Sequence, residues 1–91
     1  MLTYCVHQFT IYTEVIYVDA VKVFAANLKK YRNQLGISQE SFAERAGLHR
    51  TYISAIECGK RSIALDNIQK IADALGVETY MLFIENEGEE V

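Results

Sequence analysis

The 91 residues include no proline, five glycines and two cysteines. That leaves too little turn chemistry for a strand-rich sandwich and the wrong composition for a low-complexity linker. Cys5 and Cys58 stand far apart, with no CxxC and no Cys/His cluster around them. Neither a disulfide framework nor a zinc site has a basis, and a reduced cytoplasmic chain is the simplest expectation. His7 and His49 are isolated too, so no metal and no cofactor is expected. There is no GxGxxG turn, P-loop, GxSxG elbow or HExxH pair. Acid–base catalysis needs titratable groups converging in a pocket, and no pattern here supplies them. An enzyme is not expected.

What is present is 51% apolar and 23% charged residues, the composition of one soluble domain with a small core. A chain this short gains from burying further surface in an oligomer. Residues 1–18, MLTYCVHQFTIYTEVIYV, carry Glu14 as their only formal charge. They lack the basic start and small-residue cleavage site of a signal peptide. A membrane span would place His7, Gln8 and Glu14 near its middle, which is costly, so no membrane association is expected. Strict alternation fails, while Leu2, Cys5, Phe9, Tyr12 and Ile16 fit a helical stripe equally well. The conformation of this extension stays open, but its apolar surface needs a partner on the domain or on a second subunit.

From Asp19 the chain becomes regular. Asp19 can cap a helix carrying Val21, Phe24, Leu28, Tyr31 and Leu35 at helical spacing, with Lys22, Lys29, Lys30 and Arg32 on its polar side. Ser38 caps a second helix, Gln39 to Ala46, with Glu40 in its first turn. A third runs from about Arg50 to Glu57. A fourth carries Leu65, Ile68, Ile71, Ala72 and Leu75 on one face, and a short fifth starts near Thr79. Four of the five glycines (Gly36, Gly47, Gly59 and Gly76) fall just past these helix ends, where a residue without Cβ is favoured. Residues 85–91 hold four glutamates and read as a solvated acidic tail.

The informative run is SQESFAERAGLHRTYISAIECGKR, residues 38–61. Counted from Gln39, Ala43 stands at +4, Gly47 at +8, Ile53 at +14 and Ile56 at +17. Two helices crossing steeply over a short turn need a small residue where they touch, a glycine in the turn, and apolar anchors on the second helix. The pattern is that of a helix-turn-helix, although any helical hairpin in a small bundle shares part of it. With Ile53 and Ile56 inward, Arg50, Thr51, Ser54 and Ala55 face out, with Tyr52 at the flank. On a DNA reading, Arg50, Thr51 and Ser54 are the base-reading candidates. Arg50 can donate two bonds to guanine, and Thr51 suits thymine or a phosphate. Gln39, Tyr52, Lys60, Arg61, Ser62 and Asn67 are the backbone-contacting candidates. The plain alternative is that these are solvated polar residues.

Residues from about Phe24 to Ile84 resemble the Xre/Cro-type helix-turn-helix repressors. Within them, the run HRTYISAIECGKRSIALDNIQKIADAL is similar to the controller proteins of restriction–modification systems: Arg50 to Ser54, Ile56 to Arg61 and Asn67 to Leu75 stand where that family's recurring residues do. The fold class this implies is all-α, a five-helix Cro/repressor-like domain over residues 19–84. The N-terminal extension covers 1–18 and the acidic tail 85–91. The resemblance also implies a symmetric homodimer on a pseudo-palindromic double-stranded DNA operator, controlling its own gene and a neighbouring endonuclease gene. It places Arg50 and Thr51 on bases and Tyr52, Arg61 and Asn67 on the DNA backbone. It nominates Glu40 and Glu44 for contact with RNA polymerase, although ordinary solvated charges are the better reading of both. His49 and Ala64 depart from the family's pattern, each standing where a small capping residue is usual.

Tyr80, Met81, Leu82, Phe83 and Ile84 are apolar on every side, more than one core face requires. Part of this run is expected to form a two-fold interface. Phage-type repressor and antitoxin remain alternatives, as does a protein–protein adaptor on the same fold. Charge distribution weighs against the adaptor. The net charge of −3 divides into −2 over residues 1–21, +5 over 22–65 and −6 over 66–91. The segment that would meet phosphate is basic inside an acidic chain.

Overall fold

Asp19 starts the first helix as its side chain accepts a hydrogen bond from the Lys22 N–H at 3.3 Å. In the computed structural model, which describes residues 19–85, this helix, α1, covers Ala20–Leu35. α2 covers Gln39–Ala46, α3 Arg50–Glu57 and α4 Leu65–Leu75. A 3-10 helix, Thr79–Phe83, follows. The expected fifth helix is thus a tighter one, with the Met81 N–H bonded to the Glu78 carbonyl. The expectations for residues 1–18, and for the acidic tail beyond Glu85, lie outside the described residues.

Each helix contributes its apolar stripe to one core. Phe24 and Leu28 of α1, Phe42 and Ala43 of α2, Ile53 and Ile56 of α3, Ile71 and Ala72 of α4, and Leu82 are all buried. A large apolar side chain buried this fully contributes about 1.5–3 kcal/mol, so the seven largest dominate a domain of this size. α1 packs against α3 and the 3-10 helix, while α2 bridges α3 and α4. Asn27 of α1 is buried as well, its amide donating to the carbonyls of Leu82 at 2.9 Å and Ile84 at 3.0 Å. That amide, and the Phe24 and Phe83 rings with centroids 5.4 Å apart, tie the end of the domain to its first helix.

Three sequence expectations need correcting. Leu65 was placed on the apolar face of α4, but it is 81% exposed; Ile68 is half-buried against the core, and Ile71, Ala72 and Leu75 are buried. Arg32 was placed on the polar side of α1, but it is buried. Leu82 was grouped with the interface candidates, but it is a core residue with no exposed surface. Among the described residues, no helix is long and apolar enough to cross a membrane.

Candidate nucleic-acid interface

The start of α2 is fixed by Ser38, whose hydroxyl accepts from the Ser41 N–H at 3.0 Å. Its end is fixed by Gly47, at φ +74°. A residue with a Cβ adopts that left-handed conformation only under strain. There the Leu48 N–H reaches the Ala43 carbonyl at 2.9 Å and the Gly47 N–H reaches Glu44. These two bonds form a Schellman stop that turns the chain sharply toward α3. Ala43 is buried in the core that α2 and α3 share.

α3 has two unlike faces. Ile53 and Ile56 anchor it with no exposed surface, while Arg50 and Thr51 are exposed in its first turn. Ser54, one turn on, is half-buried beside Ala55. The helix starts at His49, whose side chain makes no capping bond. Backbone holds that end instead, since the Tyr52 and Ile53 N–H groups both reach the His49 carbonyl at 3.1 Å. The outward, polar first turn therefore sits on a firmly packed helix.

The other end of α3 is held by a buried ion pair that sequence reasoning missed. Arg32 Nε and Nη2 donate to the two carboxylate oxygens of Glu57 at 2.7 and 2.9 Å, and Nη1 donates to the Ile37 carbonyl at 2.8 Å. The side chains are 11% and 3% exposed. Hydrogen bonding to Glu57 is the largest influence on Arg32; the carboxylate's charge adds to it and desolvation opposes it, and the guanidinium is held above its ordinary range. Gln39 joins the pair, its amide donating to Glu57 Oε1 at 3.0 Å. Glu57 thus gathers α1, the start of α2 and the end of α3. The signal was present in the spacing: Arg32 follows Phe24 and Leu28 at +8 and +4, and Glu57 follows Ile53 at +4, so both charges stand on apolar stripes.

Gln39 is half-buried, and one of its amide donors is committed inside the protein. Lys60, Arg61 and Ser62 are exposed in the connector between α3 and α4. Tyr52, Arg61 and Asn67 come together. Asn67 Nδ2 donates to the Tyr52 hydroxyl at 3.0 Å, and the Arg61 guanidinium lies over the Tyr52 ring, 5.0 Å from its centroid. Around the 3-10 helix Tyr80, Phe83 and Ile84 are exposed and Met81 is half-buried, while Leu82 is buried.

This arrangement of helices and turn is shared. The helix-turn-helix family matches residues 28–82. The chain belongs to that family. This helix-turn-helix protein is of the Xre type, a family of transcriptional regulators rather than enzymes. It is 47% identical over 66 residues to a hypothetical transcription factor of Neisseria meningitidis, covering 72% of this chain and 62% of that protein. The crystal structure of that factor superposes with a TM-score of 0.74 at 44% identity, over 77% of this chain and 79% of that one. Control protein C.MunI of a Mycoplasma species is 46% identical over 67 residues, covering 72% of this chain and 90% of the relative. The restriction–modification controller protein C.AhdI from Aeromonas hydrophila superposes with a TM-score of 0.67 at 40% identity, over 69% of this chain and 91% of that chain. The helix-turn-helix protein thus spans somewhat under two thirds of its Neisseria relative and most of its controller-protein relatives.

Proposed function

We propose that this protein is a sequence-specific DNA-binding regulator of the restriction–modification controller type, acting in the cytoplasm as a dimer on a pseudo-palindromic operator. One observation carries the reading. α3 is anchored by Ile53 and Ile56 and presents Arg50 and Thr51 outward from its first turn, the part of a recognition helix that reaches base edges. Arg50, Thr51 and Ser54 read bases. Lys60, Arg61, Ser62, Asn67 and Tyr52 hold the flanking phosphates, with the remaining amide hydrogen and backbone N–H of Gln39 on the opposite side. Glu40 and Glu44 are exposed charges of α2, and no contact with RNA polymerase is needed for binding itself.

Two half-sites on one DNA face lie about 34 Å apart, so each needs its own subunit. The exposed Tyr80, Phe83 and Ile84, with half-buried Met81, supply an apolar patch that a two-fold axis can pair with itself. The likeness to controller proteins supports the same assembly.

The test is competition between a labelled duplex from upstream of the protein's own gene and random-sequence duplex. A specific regulator prefers its operator by at least about a thousandfold. Equal affinity for both duplexes, or none for either, contradicts the proposal and leaves the adaptor.

A further inference from the structure

Tyr52, Arg61 and Asn67 are linked side chain to side chain. Tyr52 is half-buried and packs against the hydrophobic core. Its hydroxyl is held by Asn67 of α4 at 3.0 Å. The ring is therefore fixed at both ends. Arg61 differs: it is exposed, in a connector without helical structure, and among the described residues its contact is the face of that ring. A centroid distance of 5.0 Å is within cation–π range.

We propose that Tyr52 is a positioning residue for Arg61, holding the guanidinium over its ring so that it meets one DNA phosphate in each half-site. The inference rests on the DNA-binding reading above. A stack engages only the π-face of a guanidinium, leaving its edge N–H donors available for a phosphate. A free arginine loses rotamer freedom when it is pinned to a ligand. One already ordered by a fixed ring loses less, so the phosphate contact is made more of the time, and both affinity and counterion release rise. Asn67 acts one step back, by fixing the ring.

The test uses the full chain and its operator, with affinity measured by fluorescence anisotropy between about 50 and 300 mM KCl. Each cationic phosphate contact contributes about 0.9 to the slope of log affinity against log salt, and neutral contacts contribute nothing. Arg61→Ala is expected to lower the slope by about 0.9 per half-site. Tyr52→Leu changes no charge and keeps an apolar side chain against the core. It is nevertheless expected to lower the slope by at least half as much, and to weaken binding about two- to fivefold. Tyr52→Phe keeps the ring against the core and loses only the Asn67 hold, so its slope is expected to fall less than that of Tyr52→Leu, whatever its hydroxyl contributes to affinity. The Tyr52→Leu/Arg61→Ala double variant is expected to show no slope loss beyond Arg61→Ala. Thermal melts of each variant verify folding. A parental slope in Tyr52→Leu alongside a reduced slope in Arg61→Ala overturns the positioning role and leaves the DNA contact standing. A parental slope in Arg61→Ala overturns the phosphate contact itself, and the positioning role with it.

Discussion

Replacing Glu57 by glutamine keeps the shape of the side chain and removes the charge facing Arg32. In the parent, Glu57 accepts three hydrogen bonds, two from Arg32 and one from Gln39, with only 3% of its side chain exposed. Glutamine offers one acceptor oxygen where there were two, and its own amide hydrogens point at groups that also donate. Arg32 keeps its bond to the Ile37 carbonyl but loses its counter-charge in a site that water barely reaches. Breaking a buried pair from one side typically costs about 3–5 kcal/mol. Glu57→Gln is expected near the lower end, about 3 kcal/mol, since one acceptor survives. Small domains lose about 4–8 °C of Tm per kcal/mol, so the melt should fall by roughly 12–24 °C.

Urea unfolding followed by circular dichroism gives the free energy directly, provided the m-value is unchanged. Arg32→Met should cost a similar amount, because it strands the carboxylate. The double variant Arg32→Met/Glu57→Leu should recover most of the loss, since an apolar pair of similar volume has no desolvation to offset. Arg32 is raised in the folded state, so its contribution is complete below the unfolded pKa and is lost only as pH rises through the folded one. Both lie far into the alkaline range, and from neutral pH to about 10 its share of stability should be flat. Single-variant costs below about 1 kcal/mol, the range of exposed pairs, would refute the reasoning, as would a double variant no more stable than Arg32→Met alone.

Other expectations are briefer. Ala64→Ser should give α4 the capping hydroxyl it lacks, adding about 0.5–2 kcal/mol in the same urea assay; a loss of stability would mean that the Ala64 site cannot hold the cap. Leu82→Ala should destabilise the fold by about 2–5 kcal/mol, whereas Tyr80→Asp should leave a folded chain that sediments as a monomer at micromolar concentration. A dimer that persists in Tyr80→Asp would move the interface elsewhere. Arg50→Ala should cost about 1–3 kcal/mol of binding and relax preference at one base pair. Equal loss across all sequences would place Arg50 on a phosphate instead.

The sequence carried the helix boundaries well because their causes are local. Asp19 and Ser38 accept the capping bonds their positions imply, and Gly47 takes the left-handed turn. The inward pair Ile53 and Ile56 was legible from spacing, and with it the outward placement of Arg50 and Thr51. What stayed hidden depends on partners distant in the chain. Arg32 is buried only because Glu57, 25 residues away, neutralises it. Residue type alone therefore placed it on the wrong face, and nominated Gln39 for a phosphate without revealing that its amide also serves Glu57. In Tyr80 to Ile84 every residue is apolar, so no periodicity singles out Leu82 as the one the core takes. Leu65 shows the converse, since an apolar residue on the stripe of α4 is left exposed.

The most direct test of the recognition surface is selection of bound sequences from a random duplex library with the purified full chain, read alongside Arg50→Ala. The expected result is one enriched pseudo-palindrome, its half-sites centred about 10–10.5 base pairs or a multiple of that apart, with Arg50→Ala relaxing the same base pair in each half. No enriched sequence, or a motif that Arg50→Ala leaves unchanged, would contradict the assignment of α3 as the element that reads DNA.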